Sequence, residues 1–160
     1  MPSKIYWVYH FANTAKLGIM ARPRGADWLD DEIKSIKREA GLLVSLLEVD
    51  EVYELGLQDE EATCNSHGIE FINFPIPDRG IPCKESDVKE LINYIGSKLL
   101  NKASVIVHCR MGIGRSSLIA GAVLLKEGLR VEEIIALISN ARGLNVPDTQ
   151  EQIDWLKRHS

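Results

Sequence analysis

A chain of 160 residues with 45% hydrophobic content can bury one sizeable core, so residues 1–160 are expected to form a single domain. No run of roughly 18 apolar residues offers a membrane span, and a formal charge of −4 with a pI near 5.6 argues against a broadly basic nucleic-acid-binding face. Met1 is followed by Pro2-Ser3-Lys4-Ile5-Tyr6-Trp7, without the apolar core of a secretion signal, and three cysteines suit a reducing, cytoplasmic setting better than a disulfide framework.

In chain order, Ile5 to Tyr9 and Leu17 to Met20 read as strands joined by a polar turn at Asn13 and Thr14. Trp28, Leu29, Ile33 and Ile36 recur at helical spacing, which predicts a helix from Trp28 to Ala40 ended by Gly41. Leu42 to Leu47 reads as a buried strand. The acidic stretch from Glu48 to Leu57, and on to His67, predicts short helices closed by Gly68, and Ile69 to Phe74 makes another strand. Ser86 is expected to cap a helix over Asp87 to Leu100, with Val88, Leu91, Ile92 and Ile95 on one face. Ser104 to Val107 is a short, largely β-branched run that reads as a buried central strand. Helices follow at Arg115 to Glu127, Val131 to Ala141 and Asp148 to His159. Strands alternating with helices imply an α/β fold, a mainly parallel sheet covered on both faces with its ligand site at the strands' carboxyl ends.

The turn after the central strand carries the chemistry. His108-Cys109-Arg110-Met111-Gly112-Ile113-Gly114-Arg115-Ser116 places a thiol and a guanidinium at the two ends of a glycine-containing loop that leads into a helix. Unpaired N–H groups and the dipole at a helix amino end favour a phosphate there. Gly112 and Gly114 are expected to let the backbone curl so that several N–H groups converge. The same donors, with Arg115, favour thiolate over thiol at Cys109. Arg115 offers a planar fork that matches two phosphoryl oxygens, and Ser116 adds a hydroxyl within reach of the sulfur. His108 points away from the pocket by strand alternation and reads as a hydrogen-bonded buried support, not a base. Cys64-Asn65-Ser66-His67 has no second Cys/His pair at suitable spacing, so it reads as the polar end of a helix and no metal site is expected.

His-Cys, five residues, then Arg-Ser resembles the signature of the cysteine-based protein phosphatases, and is similar to their compact dual-specificity branch, kinase-associated phosphatases included. The likeness extends to Ile72-Asn73-Phe74-Pro75-Ile76-Pro77-Asp78-Arg79-Gly80-Ile81-Pro82, which resembles the branch's mobile acid loop. Pro147-Asp148-Thr149-Gln150-Glu151-Gln152 resembles its late glutamine segment, and Ala21-Arg22-Pro23 to Gly41-Leu42-Leu43-Val44-Ser45-Leu46 is similar to the start of such domains. Nearly the whole chain is covered. The resemblance implies a three-layer α/β/α phosphatase-like fold with a short central sheet of about five strands.

It also implies a role for each residue. Cys109 is the nucleophile, Arg115 and the backbone N–H groups of Arg110, Met111, Gly112, Ile113 and Gly114 form the phosphate-binding loop (P-loop), and Asp78 is the acid and later the base. Gln152 orients the water that cleaves a phosphocysteine, and Ser116 assists the departing sulfur. Asp78 is chosen because its Pro-rich loop follows a strand and its position matches the family's acid; Glu85 and Asp87 sit where a helix amino end wants acidic residues. The expected substrate is a phosphorylated protein or peptide, phosphotyrosine and phosphoserine or phosphothreonine alike, handled by a monomer without cofactor or metal. A phosphatase of an inositol lipid or an RNA 5′ end, and a phosphate-binding module without turnover, are the alternatives. Arg79 and Arg110, if free of structural carboxylates, would make a positive entrance that favours acidic flanks. Some compact relatives guard the nucleophile with a second cysteine on the strand matching Leu42 to Leu47; here that strand carries Ser45.

Overall fold

Val105–Cys109 is buried at every position and becomes the middle strand of the sheet. The computed structural model describes residues 2–160; Met1, the first residue of the expected domain, lies outside them. The five strands are β1 (Tyr6–His10), β2 (Lys16–Ala21), β3 (Leu42–Ser45), β4 (Glu70–Asn73) and β5 (Val105–Cys109), ordered β1-β2-β5-β3-β4. β5 runs parallel to β2, with Ala21 opposite Cys109, and parallel to β3, with Ser45 opposite His108. β3 and β4 are also parallel, and β1 alone is antiparallel, on the β2 edge. This is the mainly parallel sheet the alternation predicts.

Among the described residues the seven α-helices are α1 (Leu29–Lys37), α2 (Val49–Glu54), α3 (Glu60–Ser66), α4 (Glu85–Leu100), α5 (Arg115–Lys126), α6 (Val131–Arg142) and α7 (Gln150–Arg158). Side-chain alternation along the strands divides the core in two. Leu42, Val44, Val105, Val107 and Cys109 face one layer, packed with Val88 and Ile95 of α4, Leu118 and Ile119 of α5, Ile134 of α6 and Trp155 of α7. Leu43, Leu47 and Ile106 face the other, with Ile33 and Ile36 of α1 and Cys64 of α3. Helix α5 is buried from Arg115 to Leu124, because it lies on the sheet beneath α4, α6 and α7.

Several boundaries differ from expectation. The helix predicted over Trp28 to Ala40 is a 3-10 turn, Ala26–Trp28, followed by α1, which ends at Lys37 with Arg38 as its C-cap. The chain leaves early because Gly41 must donate to Ser104 O, at 3.0 Å, to begin the sheet. Trp28 is not core: it is 55% exposed, with the Arg24 guanidinium 4.4 Å above its ring. Ser86 falls inside the first turn of α4, whose N-cap is Lys84. Helix α7 starts at Gln150, capped by Thr149, whose hydroxyl accepts from Gln152 N–H at 3.2 Å.

His108 lies on the opposite face of β5 from Cys109, as alternation requires. It is fully buried, and its Nε2 pairs with Glu60 Oε2 at 2.6 Å, fastening the strand before the signature loop to α3. Removing the imidazole strands a buried carboxylate. His108→Ala is therefore expected to lower the unfolding free energy by about 1–3 kcal/mol, measured by urea denaturation; wild-type stability would show that the Glu60 bond contributes nothing.

Candidate active site

The loop from Cys109 to Arg115 leaves the end of β5 and enters α5, so its geometry is set by both. Gly112 has φ of +69°, and a Cβ there would meet the Ala21 N and Met20 C atoms of β2 at 2.6 Å. This position needs glycine for both dihedral and space. Gly114 does not serve the same purpose, contrary to the sequence expectation. Its φ of −86° is ordinary; a Cβ would instead press into the Asp148 and Gln152 side chains of the α7 approach, the latter at 2.8 Å.

Cys109 is 2% exposed, and its Sγ–H donates to Ser116 Oγ at 3.4 Å. With the sulfur ionised, the same hydroxyl becomes the donor. Arg115 is buried, and its guanidinium is fixed from several directions. Nη1 and Nη2 donate to Glu51 Oε1 and Oε2 at 2.7 and 2.8 Å, a bidentate pair. Nη1 also reaches Ile76 O at 2.9 Å and Leu46 O at 3.4 Å, and Nη2 reaches Asp78 Oδ1 at 3.0 Å. Burial works against the charge, but the bonds to Glu51 and the nearby Cys109 and Asp78 outweigh it and raise the guanidinium above its usual range. Burial likewise works to raise Glu51, yet the Arg115 bonds and the Glu48 N–H hold its carboxyl below the usual carboxylate range.

Cys109, Arg115, Asp78, Arg79, Met111, Ile113, Gly114 and Asp148 line one small cleft of about 30 Å³. Larger hollows lie elsewhere, one of about 410 Å³ between the ends of α5 and α7. Charge and donors, not volume, mark the site. Ser116 is buried beneath the sulfur. Gln152 is fully buried, donates from Nε2 to Gly80 O at 3.0 Å, and leaves its Oε1 without a partner. The acid loop is thus tied to α7 on one side and to Arg115 on the other.

The two arginines expected at the entrance are not free. Arg79 lines the cleft but pairs with Asp148 at 3.1 Å, and the Arg110 side chain turns to Glu54 at 2.9 Å. The unpaired arginine on which a positive entrance depended is absent, because each faces a carboxylate from another element. Cys64 is buried, and burial together with Glu60 and Glu61 pushes its thiol up to about 12, while His67 bonds Asp30 at 2.7 Å. Ser45, opposite His108, is buried and accepts from Leu47 N–H at 3.4 Å.

Glu51 escapes sequence reading because an acidic residue in a helix's first turn has a local explanation. It is the N3 residue of a capping box, its Oε1 accepting from Glu48 N–H at 3.1 Å. Arg142, which donates to loop carbonyls, is missed for a similar reason: a basic residue in a last helical turn is ordinary.

Cys109, Arg115 and Asp78 thus meet in one cleft, with Ser116 against the sulfur and Glu51 fixing the guanidinium. Residues 38–159 match the dual specificity phosphatase catalytic domain. The chain belongs to that family of cysteine-dependent phosphatases. It is 30% identical over 92 residues to cyclin-dependent kinase inhibitor 3 of Rattus norvegicus, a segment covering 56% of this chain and 43% of that protein. The chain thus spans less than half of this relative's length. Its fold is that of a kinase associated phosphatase whose catalytic cysteine is replaced by serine, with a TM-score of 0.87, 21% identity, and 98% and 93% of the two chains covered. Tk-PTP in its active form is also similar, with a TM-score of 0.79, 24% identity, and 97% and 95% coverage.

Glu51→Gln leaves the buried Arg115 charge with a weaker partner. It is expected to destabilise the protein by about 3 kcal/mol and to lower kcat/KM by up to about 100-fold through misplacement of the guanidinium. Because the folded Glu51 titrates below its ordinary value of about 4.3, its stabilisation is present above that pH and lost as pH falls through the folded value. Unfolding free energy measured against pH should therefore fall less steeply on the acid side in Glu51→Gln than in wild type.

Proposed function

We propose that this chain hydrolyses phosphate monoesters on protein side chains through a phosphocysteine intermediate. The observation that carries the reading is that Asp78, from a separate and sequence-distant loop, lines one cleft with Cys109 and Arg115 at the strands' carboxyl ends. The phosphoryl group enters the loop, and its oxygens take the backbone N–H groups and an edge of Arg115. Asp78 occupies Nη2 at 3.0 Å without substrate, so a bound phosphoryl oxygen competes with it for that donor. Displaced from Arg115, Asp78 stays in the cleft that Cys109 also lines, where it can serve the leaving group.

The Cys109 thiolate then attacks phosphorus as the ester P–O bond breaks, and Asp78 delivers its proton to the departing oxygen. Water attacks the phosphocysteine, giving its proton to Asp78 and releasing inorganic phosphate and the thiolate, to which Ser116 donates. The unpartnered Oε1 of Gln152 is suited to accept a hydrogen bond from that water. Positioning and charge complementarity do most of the work, as phosphoryl transfer requires. All roles are filled by side chains and backbone N–H groups, so the scheme calls for no metal.

A cleft of about 30 Å³ that Cys109 lines has no recess that would select a phenolic over an alkyl phosphoester. Phosphotyrosine should be processed faster, because a phenol leaves more easily. With Arg79 and Arg110 both paired to carboxylates, acidic flanks should add little, and the preference should be insensitive to salt.

Cys109→Ser should abolish turnover of a small aryl phosphate while phosphate binding persists; wild-type turnover in that variant would overturn the mechanism. Asp78→Asn should lower turnover by roughly 10²–10⁴, with alkyl phosphates losing more than activated aryl ones. An equal, small loss for both would assign the acid elsewhere. Chelator should leave activity intact and vanadate should inhibit, whereas loss on chelation that one divalent metal restores would favour a metallohydrolase. Turnover of inositol lipids or RNA 5′ phosphates above phosphopeptides would replace the protein substrate, and tight phosphopeptide binding without turnover would make the chain a binding module.

A further inference from the structure

We propose that Arg142, the last residue of α6, is the positioning residue that turns the backbone donors of the signature loop into the anion site, with Tyr6 of β1 setting its guanidinium. The inference rests on the phosphatase reading and concerns how that site is held. Arg142 Nε donates to Gly112 O at 2.9 Å and Nη2 donates to Met111 O at 3.0 Å. Its guanidinium lies 4.3 Å from the centroid of the Tyr6 ring. One residue earlier in the loop, Arg110 O accepts from Arg22 N–H at 3.3 Å.

Three consecutive carbonyls, those of Arg110, Met111 and Gly112, are thus held from outside. In a trans peptide the C=O and the following N–H point in opposite directions, and the cis bond among the described residues is Val146–Pro147, outside this loop. Anchoring the three carbonyls therefore sends the N–H groups of Met111, Gly112 and Ile113 to the opposite side. Those are donors the anion needs.

The loop requires such a clamp because of its own glycine. Gly112 reaches φ of +69° without strain, but the same freedom lowers the cost of flipping the peptides on either side of it. A flip would replace an N–H at the anion with a carbonyl oxygen, turning attraction into repulsion. Arg142 opposes this with two parallel donors matched to two adjacent carbonyls, which the point charge of a lysine cannot do as well. Tyr6 contributes by restricting the guanidinium to the plane in which both bonds form.

The test uses the full chain and two readouts, tungstate affinity by calorimetry and kcat/KM for paired aryl and alkyl phosphates. Arg142→Met is expected to weaken tungstate binding and lower kcat/KM together, by roughly 10–100-fold. The aryl-to-alkyl rate ratio should stay at its wild-type value, since the acid is untouched. Arg142→Lys should recover part of both losses, and Tyr6→Leu should weaken tungstate binding less than Arg142→Met. Tungstate affinity within twofold of wild type in Arg142→Met overturns the proposal, as does a changed aryl-to-alkyl ratio. Should Arg142→Met fail to fold, Arg142→Lys decides: unchanged tungstate affinity there overturns it. A wild-type protein that neither binds tungstate nor turns over phosphate overturns the phosphatase reading itself, an outcome distinct from equal behaviour of wild type and variant.

Discussion

One buried positive charge organises this molecule. Arg115 is 2% exposed, and an uncompensated guanidinium at that depth would cost several kcal/mol. The fold meets the requirement by bringing three strand ends to it. Leu46 follows β3, Ile76 follows β4, and both give it a carbonyl oxygen; β5 feeds the loop that carries it. Glu51 supplies the countercharge from α2, a helix of six residues placed between β3 and α3. A parallel sheet gathers its carboxyl ends on one side in any case. Here that convergence also gives the buried Arg115 charge its carbonyl partners.

The acid loop is held by contacts of unequal strength. Arg79 is 65% exposed and its bridge to Asp148 is worth about 0–1 kcal/mol at most. The bond from fully buried Gln152 to Gly80 O is the firmer tie. Asp78, whose side chain is 58% exposed, shares Arg115 with Glu51 but accepts only one of its donors. The guanidinium is therefore committed to Glu51 and only lent to Asp78. In the proposed mechanism an arriving phosphoryl group takes the second without disturbing the first, and Arg115 stays in place.

How much of this was legible in the sequence follows from distance along the chain. The strand, the thiol, the glycines and the arginine fall within a single local segment, and local patterns carry their own geometry. The residues that orient them do not. Glu51 lies 64 residues from Arg115, Glu60 lies 48 from His108, and Arg142 lies 30 from Gly112. Each also has a sufficient local explanation as a capping acid, an acidic first turn or a basic last turn, so nothing in the sequence demands a tertiary role. The charges of Arg79 and Arg110 were legible but their availability was not, since that depends on carboxylates from α2 and the segment before α7. Trp28 fits the apolar face of a helix by spacing, and only the position of Arg24 shows that it stays at the surface.

The two loop glycines show why residue type underdetermines role. Gly112 is required by the backbone, since its positive φ and its closeness to β2 exclude a side chain on two independent grounds. Gly114 is required by its neighbours: its dihedrals suit any residue, but Asp148 and Gln152 occupy the space of a Cβ. A side chain at Gly112 would disturb the anion cradle directly. One at Gly114 would instead push Gln152 and Asp148, and through them Gly80 and Arg79, so its first effect would fall on the acid loop. Adjacent turns of one loop thus govern different halves of the site. The missing Cβ at Gly114 is what allows α7, late in the chain, to reach the catalytic cleft.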